Sequence, residues 1–153
     1  MIKKILIAFA LFACVQTFSF AQNFDTITKI IDTAEITNAQ AAYLAASYMS
    51  LSNDRTSENQ AFELLKQKGY FSENDKADAA ISLKCLCSLF AKTLNVKGGL
   101  FYSVSKKSPR YAFKEFVARG YIPLHIDPDS KVSGADALGL FNSLTENATE
   151  DAK

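Results

Sequence analysis

SENQAFELLKQKGYFSENDKADAAISLKCLCSLFAKTL, residues Ser57–Leu94, and SPRYAFKEFVARGYIPLHIDPDSKVSGADALGLFNSL, residues Ser108–Leu144, are one pattern written twice. Ala61-Phe62, Gly69-Tyr70 and Ile81-Ser82 recur without a gap as Ala112-Phe113, Gly120-Tyr121 and Val132-Ser133. Apolar positions match in kind: Leu65 with Phe116, Leu86 with Ala137, Leu89 with Leu140, Phe90 with Phe141. A fixed internal period of this kind marks a repeat architecture. The second half of the unit occurs once more upstream, where Ile36-Thr37, Leu44 and Met49 fall on Ile81-Ser82, Leu89 and Leu94. The pattern predicts one long helix followed by two pairs of a shorter and a longer helix.

The boundaries are written in local chemistry. Ser57 with Gln60 and Thr37 with Gln40 have capping-box spacing, and Ser133 with Asp136 repeats it. In such a box each side chain satisfies a backbone N–H that the first helical turn leaves without a partner. Ser108-Pro109 puts a cap before a proline at the first helical position, where its missing N–H costs nothing. Gly69 and Gly120 follow cationic last turns (Lys66 and Lys68, then Arg119), as expected of a glycine ending a helix in the left-handed region. Leu83, Leu86, Cys87, Phe90 and Leu94 lie at helical spacing, as do Ala137, Leu140, Phe141 and Leu144. The loop from Tyr121 to Lys131, with Pro123 and Pro128, reads as irregular, and 96–107 as a connector with a short extended piece.

The N-terminus carries a different signal. Met1-Ile2-Lys3-Lys4 is cationic, residues 5–20 carry no charge, and Ser19-Phe20-Ala21 offers small residues around a cut after Ala21. These features predict a cleaved secretory signal over 1–21. A competing reading takes Leu11-Phe12-Ala13-Cys14 as a loose lipobox, with Cys14 acylated and membrane-anchored. The remaining segments are expected as a linker or short helix over 22–35, a helical repeat domain over 36–145, and a disordered tail over 146–153. Cleavage would leave 132 of the 153 residues, enough for one compact domain. With Lys3 and Lys4 gone, 15 basic side chains face 16 acidic ones, a balance that offers nothing to nucleic acid or an anionic bilayer.

The repeat resembles the S-layer homology domain: a short helix opening on Ala-aromatic and closing on Gly-aromatic, a loop, then Ile/Val-Thr/Ser opening a longer helix. The three openings are Ile36-Thr37-Asn38-Ala39-Gln40, Ile81-Ser82-Leu83-Lys84-Cys85 and Val132-Ser133-Gly134-Ala135-Asp136. The stretch from Gly98-Gly99-Leu100 to Ser108-Pro109-Arg110-Tyr111-Ala112 is similar to a variant in spirochaete envelope proteins. The resemblance covers roughly 36–145. It implies an all-α fold of tandem helix-loop-helix repeats and a non-catalytic role in the periplasm or cell envelope. The partner it implies is a cell-wall glycan, or another envelope protein. The family's motif arginine is replaced by Asn38, Leu83 and Gly134, none of which can make a charge-assisted contact to an acidic sugar.

Arg110 and Tyr111, with Lys106 and Lys107 beside them, are the candidate binding residues. A guanidinium next to an amphipathic ring can hold a sugar or a carboxylate. No cofactor or metal is expected. The Asp127-Pro128-Asp129-Ser130 run lacks the glycine and terminal glutamate of a calcium loop. His125, the single histidine, has no nucleophile motif around it and is assigned to a loop. Cys85 and Cys87 are expected as small hydrophobes in a helix, Cys87 facing the core. A self-associating structural subunit, or a small envelope enzyme using one of these thiols, are the alternatives.

Overall fold

The computed structural model describes residues 18–53, 55–96 and 108–150, and among them six helices and no strand. They are α1 (Phe18–Ile31), α2 (Asn38–Tyr48), α3 (Glu58–Gln67), α4 (Leu83–Thr93), α5 (Pro109–Ala118) and α6 (Gly134–Glu150). The fold is all-α and compact, with one buried apolar cluster that draws on every helix.

Helix starts follow the sequence. The Thr37 hydroxyl accepts from Gln40 N–H at 3.2 Å while the Gln40 carboxamide accepts from Thr37 N–H at 3.0 Å. Ser57 and Gln60 close the same box at 3.2 and 2.8 Å. Ser133 accepts from the Asp136 N–H at 3.1 Å but donates its hydroxyl to the Asp136 carboxylate, so this cap is not reciprocal through the backbone.

Helix ends repeat a single device four times. Gly69 and Gly120 take φ of 77° and 79°, and the following N–H groups of Tyr70 and Tyr121 reach back to Leu65 and Phe116 carbonyls at 3.0 and 2.9 Å. This is the Schellman closure, and at α5 its apolar contact is the edge-on pair of Phe116 and Tyr121 rings. The ends of α2 and α4 close identically through Ser50 (φ 55°) and Asn95 (φ 48°), with Leu51 N–H to Ala46 and Val96 N–H to Ala91. Those two stops carry no glycine, which is why they escape a sequence reading.

The long helices meet at their N-termini. Asn38 N–H donates to Ala79 O, Leu83 N–H to Ser130 O, and Gly134 N–H to Thr33 O, at 2.9, 2.9 and 2.8 Å. Each opening of one long helix is thus satisfied by the segment just before the opening of another, and the three contacts run in a cycle. Ile36 N–H to Val132 O and Ile81 N–H to Ile36 O brace the centre, and Ile36, Ile81 and Val132 are buried there.

Helix pairing follows the same cycle. α2 packs most extensively on α3 and α4 on α5, with smaller contacts of α6 on α1 and of α2 on α4. The segment 22–35 is therefore not a mere linker: α1 supplies the short-helix partner of α6, and its Ile30 is fully buried in the common core. Three pairs stand where the repeat predicts one helix and two pairs. α2 is buried nearly all round, and its alanines (Ala39, Ala41, Ala42, Ala45, Ala46) allow neighbours to approach from several sides. Phe90 and Phe141 rings meet at 4.8 Å, and Tyr48 caps the latter edge-on at 5.5 Å.

α6 continues to Glu150, past residue 146, where the tail is expected to begin. Nothing after Gly139 breaks a helix, and Asn147 donates its amide to the Ser143 carbonyl at 2.7 Å. Residues 151–153 and most of the 96–107 connector lie outside the described residues.

Gly134 is the tightest point. A Cβ built there would sit 1.6 Å from the Ile30 carbonyl oxygen, whereas one at Gly69 or Gly120 meets nothing within 4 Å. Gly69→Ala and Gly120→Ala are therefore expected to cost only the left-handed strain, about 1–2 kcal/mol each. Gly134→Ala is expected to cost more, because backbone must move and the α1–α6 contact opens. Urea unfolding of the three variants checks the order; a Gly134→Ala loss no larger than the other two contradicts it.

Candidate grooves related by the internal repeat

Two grooves lie where the loop after a short helix faces the opening of the next long helix. The first, of about 640 Å³, is lined by Asn38, the turn Gly69–Ser72, residues 79–82 and the exposed flank of α4. The second, of about 540 Å³, is lined by Leu83, the turn Tyr121–Pro123, residues 130–132 and the flank of α6. Their walls pair off in the register of the repeat: Tyr70 with Tyr121, Ile81 with Val132, Cys85 with Asp136, Ser88 with Gly139, Lys92 with Ser143. Asn38 and Leu83, which open successive long helices, take equivalent places. The grooves are two copies of one architectural feature.

At the third equivalent place the space is filled. Thirteen residues (68–80, and again 119–131) separate the end of a short helix from the next Ile or Val, but only four (32–35) separate α1 from Ile36. No loop is available to stand off from the opening of α6, and the end of α1 lies directly on Gly134. The third residue of each long-helix opening bonds or packs within the fold. Asn38 is 8% exposed and donates its amide to Lys76 O at 2.8 Å, Leu83 is buried, and Gly134 admits a neighbouring backbone.

The grooves differ in polarity. The first carries Lys76, Lys92 and Lys131 against Asp75. The Lys131 ammonium donates to Ala80 O at 2.8 Å and that of Lys92 reaches Gly69 O at 3.5 Å. Asp75 has its carboxylate on the Ser72 N–H at 2.7 Å, while its carbonyl accepts from Lys66, so the loop is pinned at both ends. The second groove has Leu83, Ile122, Ile126 and Leu140 on its walls, with Asp136 and Lys131 as its ionisable groups. Asp129, just outside, pairs with Lys84 and pins the second loop to α4. That pairing raises the Lys84 ammonium above its ordinary value, first through the hydrogen bond to Asp129.

The residues singled out from sequence fall elsewhere. Arg110 is exposed on the first turn of α5, and Tyr111 is 37% exposed with the Lys114 ammonium 5.8 Å from its ring centre. Neither lines either of these two grooves, although Ser108 and Pro109, just before them, line the first. Lys106 and Lys107 lie outside the described residues, as does Cys14. His125 is exposed on the loop after α5, beside the nearly bare Leu124. Groove residues such as Lys92 and Lys131 were missed because neither sits in a motif. The signal that could have found them was the repeat itself, read as a set of equivalent walls.

Among the described residues no group of three or more His, Cys, Asp or Glu side chains could hold a metal ion, and no helix is long and apolar enough to cross a membrane. Helical pairs around a cycle of helix openings, with repeat-related grooves, define the class of architecture. No family model matches the chain, and no curated protein or solved structure shows significant similarity to it.

Cys85 is half-buried in the wall of the first groove, and Cys87 is buried in the core, where burial pushes its thiol well above the ordinary range. With the chain beginning at Gln22, Ellman's reagent at pH 8 is expected to titrate one thiol in the native protein and the second only in denaturant. Rapid native reaction of Cys87 contradicts the burial. Because the unfolded thiol ionises from about pH 8.5 while the native one stays protonated, stability should fall as pH rises past that value. Cys87→Ala should remove that part of the slope.

Proposed function

We propose that the chain is an exported, non-catalytic module of the cell envelope that holds a wall glycan or another envelope protein, built from divergent repeats of the S-layer homology type. The observation that carries this reading is the pair of grooves at equivalent places of an internal repeat. Each groove is a concave wall of mixed polar and apolar residues that can take a partner's surface, whereas catalysis needs one convergent set of reacting groups. The thiol-enzyme alternative draws little support: Cys87 is buried and protonated, and Cys85 has no imidazole in the walls beside it.

Export rests on the cationic start, the uncharged run and the small residues around Ala21. A cut after Ala21 trims α1 to residues 22–31, ten residues long, which is the length of α3 and of α5. The shortened helix keeps Ile27 and Ile30, the residues it contributes to the core. The lipidated form through Cys14, anchored to a membrane, remains the alternative processing.

Arg110 and Tyr111 offer a second contact surface, favoured by the exposed ring and the lysine above it at the start of α5. Self-association through such aromatic side chains is the structural alternative.

Intact mass of the protein recovered from its native host is expected to give a chain starting at Gln22. A lipid-bearing start at Cys14 moves the protein to the membrane-anchored form, and a start at Met1 overturns export. Purified mature chain should co-sediment with envelope fragments. Retention on protein-free sacculi that drops at least tenfold in Arg110→Ala/Tyr111→Ala assigns the glycan to α5. No retention on either preparation overturns the binding role.

A further inference from the structure

We propose that the first groove receives an acidic segment of a partner polypeptide, and that the second groove, its copy, does not. This rests on the envelope-binding reading and selects, within it, the partner's chemistry. Three lysines and one aspartate line the first groove, and of the three only Lys131 also lines the second. Lys131 is steadied by the Ala80 carbonyl, which holds the ammonium without neutralising it, and no carboxylate pairs with it among the described residues. Asp75 is turned into its own loop by the Ser72 N–H.

The groove also offers an amide. Asn38 is 8% exposed, and its Nδ2 donates to Lys76 O while its Oδ1 takes no hydrogen bond among the described residues. A nearly buried carboxamide with an acceptor to spare matches a peptide N–H, and leaving it unsatisfied is costly. Charge and amide together call for a ligand with carboxylates on a backbone of N–H donors.

A polypeptide is favoured over an acidic glycan by the state of the aromatic rings. Sugars are commonly gripped by an exposed ring, but Phe71 is stacked on Phe62 at 4.8 Å and the Tyr70 hydroxyl is turned to the Met49 sulfur at 3.5 Å. The second groove supplies the contrast. There Leu83 replaces the amide, Ser143 replaces Lys92, and Asp136 stands where Cys85 does, so the one lysine left, Lys131, which both grooves share, is matched by a carboxylate among apolar walls.

The test uses the full mature chain and a fluorescein-labelled hexaglutamate peptide, with polygalacturonate as the acidic glycan. Anisotropy should show one peptide per chain, binding that weakens as salt rises. Lys92→Ser and Asn38→Leu, each copying the equivalent residue of the second groove, should each weaken binding at least fivefold, while Ser143→Ala leaves it unchanged. Thermal melts confirm that each variant folds, and Lys131→Gln gives a third reading if Asn38→Leu does not. Absence of peptide binding, or binding indifferent to Lys92→Ser and Lys131→Gln, overturns the proposal. Polygalacturonate binding tighter than the peptide and sharing its mutational pattern also overturns it, in favour of a glycan. Because both components are purified, these results stand apart from the sedimentation assay, whose failure would remove the envelope role without touching the groove.

Discussion

The first helical N–H of each long helix has no partner within its own helix, and in this protein all three find one in another repeat. Asn38 bonds to Ala79, Leu83 to Ser130 and Gly134 to Thr33, in a cycle. Helix openings that are buried must be satisfied by something, and here the something is the approach segment of the neighbouring repeat. The cycle places three β-branched residues, Ile36, Ile81 and Val132, at one buried point. The pairing of helices, the position of the loops and the grooves between them all follow from that arrangement.

The cycle also explains why the chain ends matter. Two of the three helix pairs are contiguous in sequence, but the third joins α6 to α1. Without α1 and the turn that follows it the cycle loses Thr33 O as the acceptor for Gly134, and the core loses Ile30. Gly134 is the residue that permits this closure, because any Cβ would collide with the Ile30 carbonyl.

Repetition and divergence divide the work between the grooves. Their walls share a register, yet the substitutions between copies are concentrated on polar character: Asn38 against Leu83, Cys85 against Asp136, Lys92 against Ser143. The residues that shape the walls are kept in kind, as with Tyr70 and Tyr121 or Ile81 and Val132. Shape is set by the packing that both copies need, whereas surface charge is free to vary because it adds little to stability.

Much of this fold was legible in the order of residues. The caps at Thr37 and Ser57 and the glycine stops at 69 and 120 depend on contacts within a few residues of each other, so the chain states them directly. The all-helical class and the offset of the repeat are equally local. The non-glycine stops at Ser50 and Asn95 were hidden, since a left-handed residue of those types is imposed by the helix and turn around it. The pairing of α1 with α6 and the identity of the groove walls were decided only by tertiary structure. They join residues as far apart as Ile30 and Gly134, or Lys131 and Ala80, and contacts at that separation leave no periodicity in the sequence.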